Sequence, residues 1–556
     1  MLFLKKNTPF IPLFIGVVFF YLVVGFGPLD PHNLSWIFGR FDPPQHYLGW
    51  VFYRTSPWSF PIGLNPNFGM DISSSIVYTD SIPIMAIFFK LLSPFLPLVF
   101  QYFGIWLLLC FLLQAWFSWK IISLFSNHFW VIFFGTGLLS FSPPMLWRLY
   151  TPSGTQAALA SHFLILAALF LVLRKTEDKR IFYWTTLLAL AVLINVYLFA
   201  MVSLLWLSDL LDRAISQKIL TGRKVFYEIF TATTVVLICA WQAGYSAISG
   251  SSVGYMGYGF FKLNVLGPLD PSGWSHLLPN IPIPTSWGEG FNYLGLGAII
   301  VITTACILLI GPLRTKSRVP IPPGNNIKLF SDHRFLFLCL FFLYLDAISN
   351  NIGVGMWGFN FELPLFLNSF LHVLRASARM WWPIHYCLII VAIYLICKVS
   401  SSRIAITLLA AALVLQVIDT NQGWSTTRKD LAQDTYAEIY APDLKSPFWR
   451  SAAAHYKKLM RIPAMSQSNK WVQFAWLASE YGMKTNSVFF ARVDSGKVAL
   501  ANQDLKAVIM KGKFDNGCKI KIPFSNFILK INPIYERPDE NLLITCPVKP
   551  DSFGHS

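Results

Sequence analysis

The apolar run FIPLFIGVVFFYLVVGF, residues 10–26, and the segment GRFDPPQHYLGWVFYRTSPWSFPIGLNPNFGMDISSSIVYTDSIP, residues 39–83, together decide how the rest of the chain reads. The first is about long enough to cross the ~30 Å hydrocarbon layer of a membrane as a helix. MLFLKK precedes it and no small-residue cleavage site follows, so it is expected to stay as a signal anchor with its lysines in the cytoplasm. The second sets Asp42, Gln45, His46, Asp71 and Asp80 among prolines, glycines and tryptophans directly beside that membrane edge. Carboxylates held in so constrained a loop are where chemistry is to be sought. Taken singly, each of these Asp residues also reads as a cap of a turn or short helix.

Outward from this segment the chain stays apolar. Only 13% of the 556 residues are charged, against about 25% in soluble domains, and 55% are hydrophobic. A polytopic α-helical membrane protein follows, with about 11 spans: 10–26 and, further on, runs near 101–122, 128–147, 156–174, 182–195, 197–210, 226–245, 293–312, 334–348, 382–398 and 403–419. The pair within 182–210 also reads as one long tilted helix. Residues 81–99 hold Lys90 and three prolines and are expected to form an interfacial helix rather than a span. The formal charge of +17 falls largely in loops such as RKTEDKR (174–180), DLLDRAISQKILTGRK (209–224), RTKSRVPIPPGNNIK (314–328) and KVSSSR (398–403). Positive-inside topology accounts for it, and nucleic acid is not an expected partner.

This topology gives a membrane domain over 1–419, with a first outer loop at 27–80 and further outer loops at 246–292 and 349–381. From 420 to 556 the composition becomes that of a soluble extracytoplasmic domain of α/β or α+β type. Within it SPFWRSAAAHYKKLMRI has helical spacing, whereas SVFFARVD, KAVIMKGKF, CKIKIPF and NLLITC read as short strands. Six of the eight cysteines lie in apolar runs; Cys518 and Cys546, in the tail, have a disulfide open to them if the tail is outside the cytoplasm.

The candidate site gathers on the outer face. Asp42 is the candidate general base, with Gln45, His46, Asp80, Arg148, Glu289, Arg375 and Arg379 as candidate substrate-binding residues. Acids together with guanidinium groups suit transfer of a sugar from a lipid phosphate: a carboxylate takes the acceptor's proton and cations stabilise the departing phosphate. Each residue has a plainer role open to it. Asp42 can terminate a turn before Pro43-Pro44, Asp80 can cap helix 81–93, and Glu289 can cap a helix near Asn292. Arg375 and Arg379, four apart, would share a helix face as a phosphate clamp or snorkel from a helix end. Asp42 and His46 are the candidate metal ligands, and a divalent metal is the cofactor to consider. No Walker loop, Rossmann glycine pattern, HExxH or GxSxG element stands in a suitable context.

The architecture resembles the GT-C type glycosyltransferases. A closer resemblance, over most of the chain, is to an uncharacterised bacterial multi-pass membrane family related to them. It is carried by FDPPQHYLGWVFYR (41–54), YTDSIPIMAIFFKLLSP (78–94), FQYFGIWLLLC (100–110), EGFNYLGLG (289–297) and LRASARMWWP (374–383). The resemblance implies an inverting transfer from a polyprenyl-phosphate sugar donor, with Asp42 at the position of the superfamily's first-loop acid. The acidic pair common in its protein-modifying members is missing, because Pro43 follows Asp42. The expectation is therefore a glycosyltransferase of the bacterial inner membrane, N-terminus cytoplasmic and C-terminal domain periplasmic, acting on a lipid-linked or envelope glycan such as O-antigen. A flippase of lipid-linked sugars and a non-catalytic envelope-assembly protein are the alternatives.

Overall fold

The computed structural model describes residues 10–39, 42–248, 252–253, 257–284, 288–310, 329–432, 444, 447–464, 471–490, 492–511, 519–521 and 542–547. The fold is predominantly helical. Among the described residues five helices are long and apolar enough to cross a membrane: Phe103–Ile122, Phe129–Trp147, Gly222–Ala243, Ser377–Val399 and Ser402–Asp419. Shorter apolar helices run over Phe10–Val23, Ala157–Leu173, Arg180–Val192 and Leu296–Leu308. Gly222–Ala243 presents Phe226, Phe230, Leu237 and Ile238 to its surroundings. Such a surface is stable against lipid and not against water. The protein is thus a helical membrane protein.

The chain divides into two compact units interleaved in sequence, 1–36 with 99–239 and 255–433, and 37–98 with 240–254 and 434–556. In the first, Phe10–Val23 packs on Phe103–Ile122, which also receives Phe129–Ser140 and Phe163–Leu173. Gly16 allows the first contact: a Cβ there would stand 2.8 Å from the Phe111 carbonyl oxygen. Leu296–Ile310 packs between Trp382–Val399 and Ser402–Asp419. The stretch 182–210 is two helices, Arg180–Val192 and Val196–Leu211, packed on each other. Asn195 is extended at the break, and its side chain accepts a bond from the Tyr197 N–H at 2.9 Å, so the second helix starts afresh. The 349–381 stretch contains an antiparallel hairpin, Asn351–Val354 with Trp357–Asn360.

In the second unit the helix Asp42–Thr55 opens on Asp42 with prolines at its first turn, where missing N–H groups cost nothing. Trp476, on the helix Trp471–Glu480, stacks against Tyr47 and meets Phe38 edge-on. A four-stranded mixed sheet runs in the order Lys484–Thr485, Tyr456–Ile462, Leu542–Pro547, Lys519–Lys521. Two local expectations are corrected here. The helix Pro447–His455 stops before Tyr456, and YKKLMRI is a strand because it pairs on both edges. KAVIMK instead completes the helix Ser495–Lys511, which Asp494 initiates by accepting from the Gly496 and Lys497 N–H groups at 3.0 and 3.1 Å. Cys518 and the side chain of Cys546 lie outside the described residues.

Candidate functional site

In the first unit a buried ion cluster assembles around Glu289. Arg148 follows the short helix Pro143–Trp147, and the loop closes when the Gln156 N–H bonds the Arg148 carbonyl at 2.8 Å. Gly288 has φ +78, and a side chain there would run into the Trp147 ring, so only glycine lets the chain deliver Glu289 at this point. Arg148 Nη1 donates to Glu289 Oε2 and to Gln156 Oε1, both at 2.8 Å, and Gln156 Nε2 donates to Glu289 Oε1 at 3.2 Å. Arg379 reaches the same Oε2 through Nε at 3.0 Å and Nη2 at 2.9 Å.

Two guanidinium groups therefore share one carboxylate. Burial opposes ionisation of Glu289, but Arg148 and Arg379 outweigh it and bring its carboxyl down to about 2. Burial likewise lowers Arg148 to about 10 against the attraction of Glu289. Arg148 is fully buried, with the rings of Trp147 and Trp382 at 4.7 and 4.9 Å from its guanidinium carbon. Its Nε and Nη2 have no hydrogen-bond partner among the described residues. Arg148 is thus a buried guanidinium with two donors unused among the described residues.

Arg375 stands apart from this cluster. The helix that its spacing with Arg379 suggests is broken at Ala376, with His372–Leu374 and Ser377–Trp381 as separate 3-10 turns. Its guanidinium lies 5.9 Å from the Phe261 ring centroid. Glu289 does not cap a helix: the next one begins at Leu296. Sequence reasoning missed Gln156 and Tyr197, whose ring lies 4.5 Å from the Arg379 guanidinium carbon; the Trp382 ring lies tilted against that of His162, centroids 4.1 Å apart. Only the arginine beside Trp381-Trp382 hinted at them.

In the second unit Asp42 and His46 lie one turn apart on one helix. Gln45 is buried, and its Nε2 donates to the Tyr78 carbonyl at 3.1 Å. His46 Nε2 is 3.7 Å from Asp80 Oδ2, longer than a hydrogen bond. Burial lowers His46 to about 4 despite the opposing pull of Asp42, so its imidazole is neutral near pH 7. Asp80 has φ +52, and the helix beside it starts at Pro83 after Ile82, so Asp80 is not its cap. Its carboxylate, about one-third exposed, adds to the burial that raises the Tyr245 hydroxyl. Asp42 and His46 do not converge with a third ligand: among the described residues no group of three or more His, Cys, Asp or Glu is arranged to hold a metal. No step is therefore routed through one.

A family model described as "Domain of unknown function (DUF6311)" matches residues 13–421, and one described as "DUF6311 C-terminal domain" matches residues 448–532. No curated protein and no solved structure matches the chain. With both models matched in order along most of its length, the chain belongs to the DUF6311 family.

Proposed function

We propose that this protein is a GT-C type membrane glycosyltransferase that moves a sugar from a polyprenyl-phosphate donor to an envelope glycan such as O-antigen. The observation that carries the reading is the Arg148–Glu289–Arg379 cluster, in which two nitrogens of the buried Arg148 lack a partner among the described residues. A donor phosphate supplies the missing acceptor oxygens. Apolar helices give a lipid-linked donor access without extraction of its tail into water.

In the proposed transfer the acceptor hydroxyl attacks the sugar C1 and gives its proton to a carboxylate, for which Asp42 is the candidate from the sequence. The bond from C1 to the phosphate oxygen breaks, and its electron pair stays on the phosphate, where the arginines stabilise it. Gln45, His46 and Asp80 are assigned to the acceptor, with His46 neutral. Arg375 is assigned to the lipid end. About 11 spans, a cytoplasmic N-terminus, a periplasmic C-terminal domain and the bacterial inner membrane belong to the same reading.

The test is envelope glycan mass spectrometry in a deletion strain complemented with wild type, Asp42→Asn or Arg148→Gln at equal membrane expression. The reading expects the lost glycosyl mass to return with wild type alone. Restoration by both variants would remove the catalytic assignment. A flippase is the second reading, favoured by a buried chain in which His162 Nδ1 lies 2.9 Å from the Tyr386 hydroxyl, Gln114 Nε2 donates to that hydroxyl at 2.9 Å, and His385 Nε2 lies 3.1 Å from Ser142 Oγ. It expects deletion strains to accumulate unflipped lipid-linked sugar with transferase activity intact in permeabilised membranes.

A further inference from the structure

Residues 54–98 carry a device that sugar transfer does not use. After the helix Pro83–Leu91 the chain makes one 3-10 turn, Ser93–Phe95, and continues to Leu98 without further helix. The surface here is apolar: Phe95 is 85% and Leu98 92% exposed, and Trp58, Phe60, Phe88 and Leu91 are each more than half exposed. Of the two cations of the stretch, Lys90 is buried and Arg54 half-buried. The buried Lys90 ammonium lies 4.1 Å from the Tyr53 ring centroid, 4.6 Å from that of Trp58, and 3.5 Å from the Pro57 carbonyl.

Arg54 is spent on backbone. Its Nη1 donates to the carbonyls of Pro97 at 2.8 Å and Leu98 at 3.2 Å, and its Nη2 to those of Leu96 at 3.0 Å and Ser93 at 3.3 Å. Most of the donors are accounted for too: Pro94 and Pro97 have no N–H, while Phe95 and Leu96 bond the carbonyls of Leu92 and Ser93. In water such carbonyls find partners at no cost. In hydrocarbon they do not, and non-helical backbone is tolerated there only when satisfied from within.

The same unit fixes the depth of the patch. Phe60 meets Trp241 edge-on at 4.7 Å, the Gly63 N–H bonds the Gln242 carbonyl at 2.7 Å, and the Ile62 N–H bonds Gln242 Oε1 at 3.2 Å. Trp241 and Gln242 end the Gly222–Ala243 helix, one of those long enough to cross a membrane. The patch is therefore tied to the end of a span, where aromatic side chains gather at the bilayer interface.

We propose that residues 92–98 form a loop inserted among the acyl chains of the bilayer, anchored by Phe95 and Leu98 and made insertable by Arg54, which caps its carbonyls. The partner is lipid, because the surface is apolar, its lysine is buried, and the carbonyls of Leu92, Ser93, Leu96, Pro97 and Leu98 are bonded from within the protein.

The test places benzoyl-phenylalanine at position 95, 98, 230 or 480 of the full chain in nanodiscs of phosphatidylethanolamine and phosphatidylglycerol. Lipid adducts are read by mass spectrometry after irradiation, position 230 being a span residue and 480 an exposed polar one. Adducts on acyl chains at 95 and 98, comparable with 230 and absent at 480, are the expected result. Arg54→Gln, with adducts at 230 unchanged, lowers those at 95 at least about fivefold, since the carbonyls of Leu96, Pro97 and Leu98 lose their donor while that of Ser93 keeps the Leu96 N–H. Crosslinks from 95 to a second copy of the chain, or no lipid adduct there while 230 gives one, overturn the insertion. Unchanged adducts in Arg54→Gln overturn the capping role.

Discussion

Glu289→Gln leaves the buried Arg148 without its carboxylate partner, a loss of about 3–5 kcal/mol for an unpaired buried charge. Arg379→Gln leaves a neutral Arg148–Glu289 pair, so folding suffers less while anion affinity falls. The expected pattern in the detergent-solubilised protein is a large drop in Tm for Glu289→Gln, a small one for Arg379→Gln, and partial recovery in the double variant. Equal drops for both single variants would overturn this ordering. His46 gives a second prediction. Its folded pKa, about 4, lies below the ordinary 6.5, so its contribution is complete above pH 6.5 and falls away as pH drops toward 4. About 3 kcal/mol is at stake over that window, and His46→Gln is expected to flatten the fall in Tm between pH 6.5 and 4.5. At this scale the sequence offered residue types and little else: Arg148 and Glu289 stood out among prolines and glycines, but their pairing spans 141 positions and has no local signal. The fourfold spacing of Arg375 and Arg379 suggested a shared face because nothing in LRASARM announces the break at Ala376.

Helices were legible where composition alone decides them. The runs at 103–122, 129–147 and 402–419 are predominantly apolar, and burial or lipid favours the same conformation. Where tertiary pairing competes with local preference the reading was weaker, as at YKKLMRI, whose strand exists only with partners on both sides. Asn195 shows an intermediate case: a polar residue inside an apolar run marks a break, and its side-chain bond to Tyr197 makes that break definite. Asn195→Ala is expected to cost about 1 kcal/mol, the worth of a lost helix cap. Gly16→Val is expected to cost about 1–3 kcal/mol by overpacking, because the added atoms meet Phe111 and Leu112 backbone that cannot rotate away. Thermal unfolding in one detergent compares the two, and a Gly16→Val protein as stable as wild type would mean that the helices at 10–23 and 103–122 separate freely.

The interleaving of the two compact units was beyond the reach of composition, because the contacts that create it join residues hundreds of positions apart. Described residues of 434–556 are bonded to the 37–98 segment. The Gly69 N–H bonds the Thr485 carbonyl at 2.9 Å and the Thr485 N–H bonds the Asn67 carbonyl at 3.0 Å, so the edge strand Lys484–Thr485 completes its ladder on the 37–98 segment. Lys497 Nζ donates to Ser73 Oγ at 2.9 Å, and Phe68 packs edge-on against Phe490. Trp476 covers Phe38 and Tyr47. Removing 37–98 would uncover these aromatic faces and leave strand groups unpaired, a combination that a segment of this size has little stability to absorb. The segment 434–556 expressed alone is therefore expected to lack a cooperative thermal transition and dispersed amide resonances, and to gain both when 37–98 is joined to it by a flexible linker. A sharp transition in the isolated segment would show that the first loop is a passenger on an independent domain rather than part of its core.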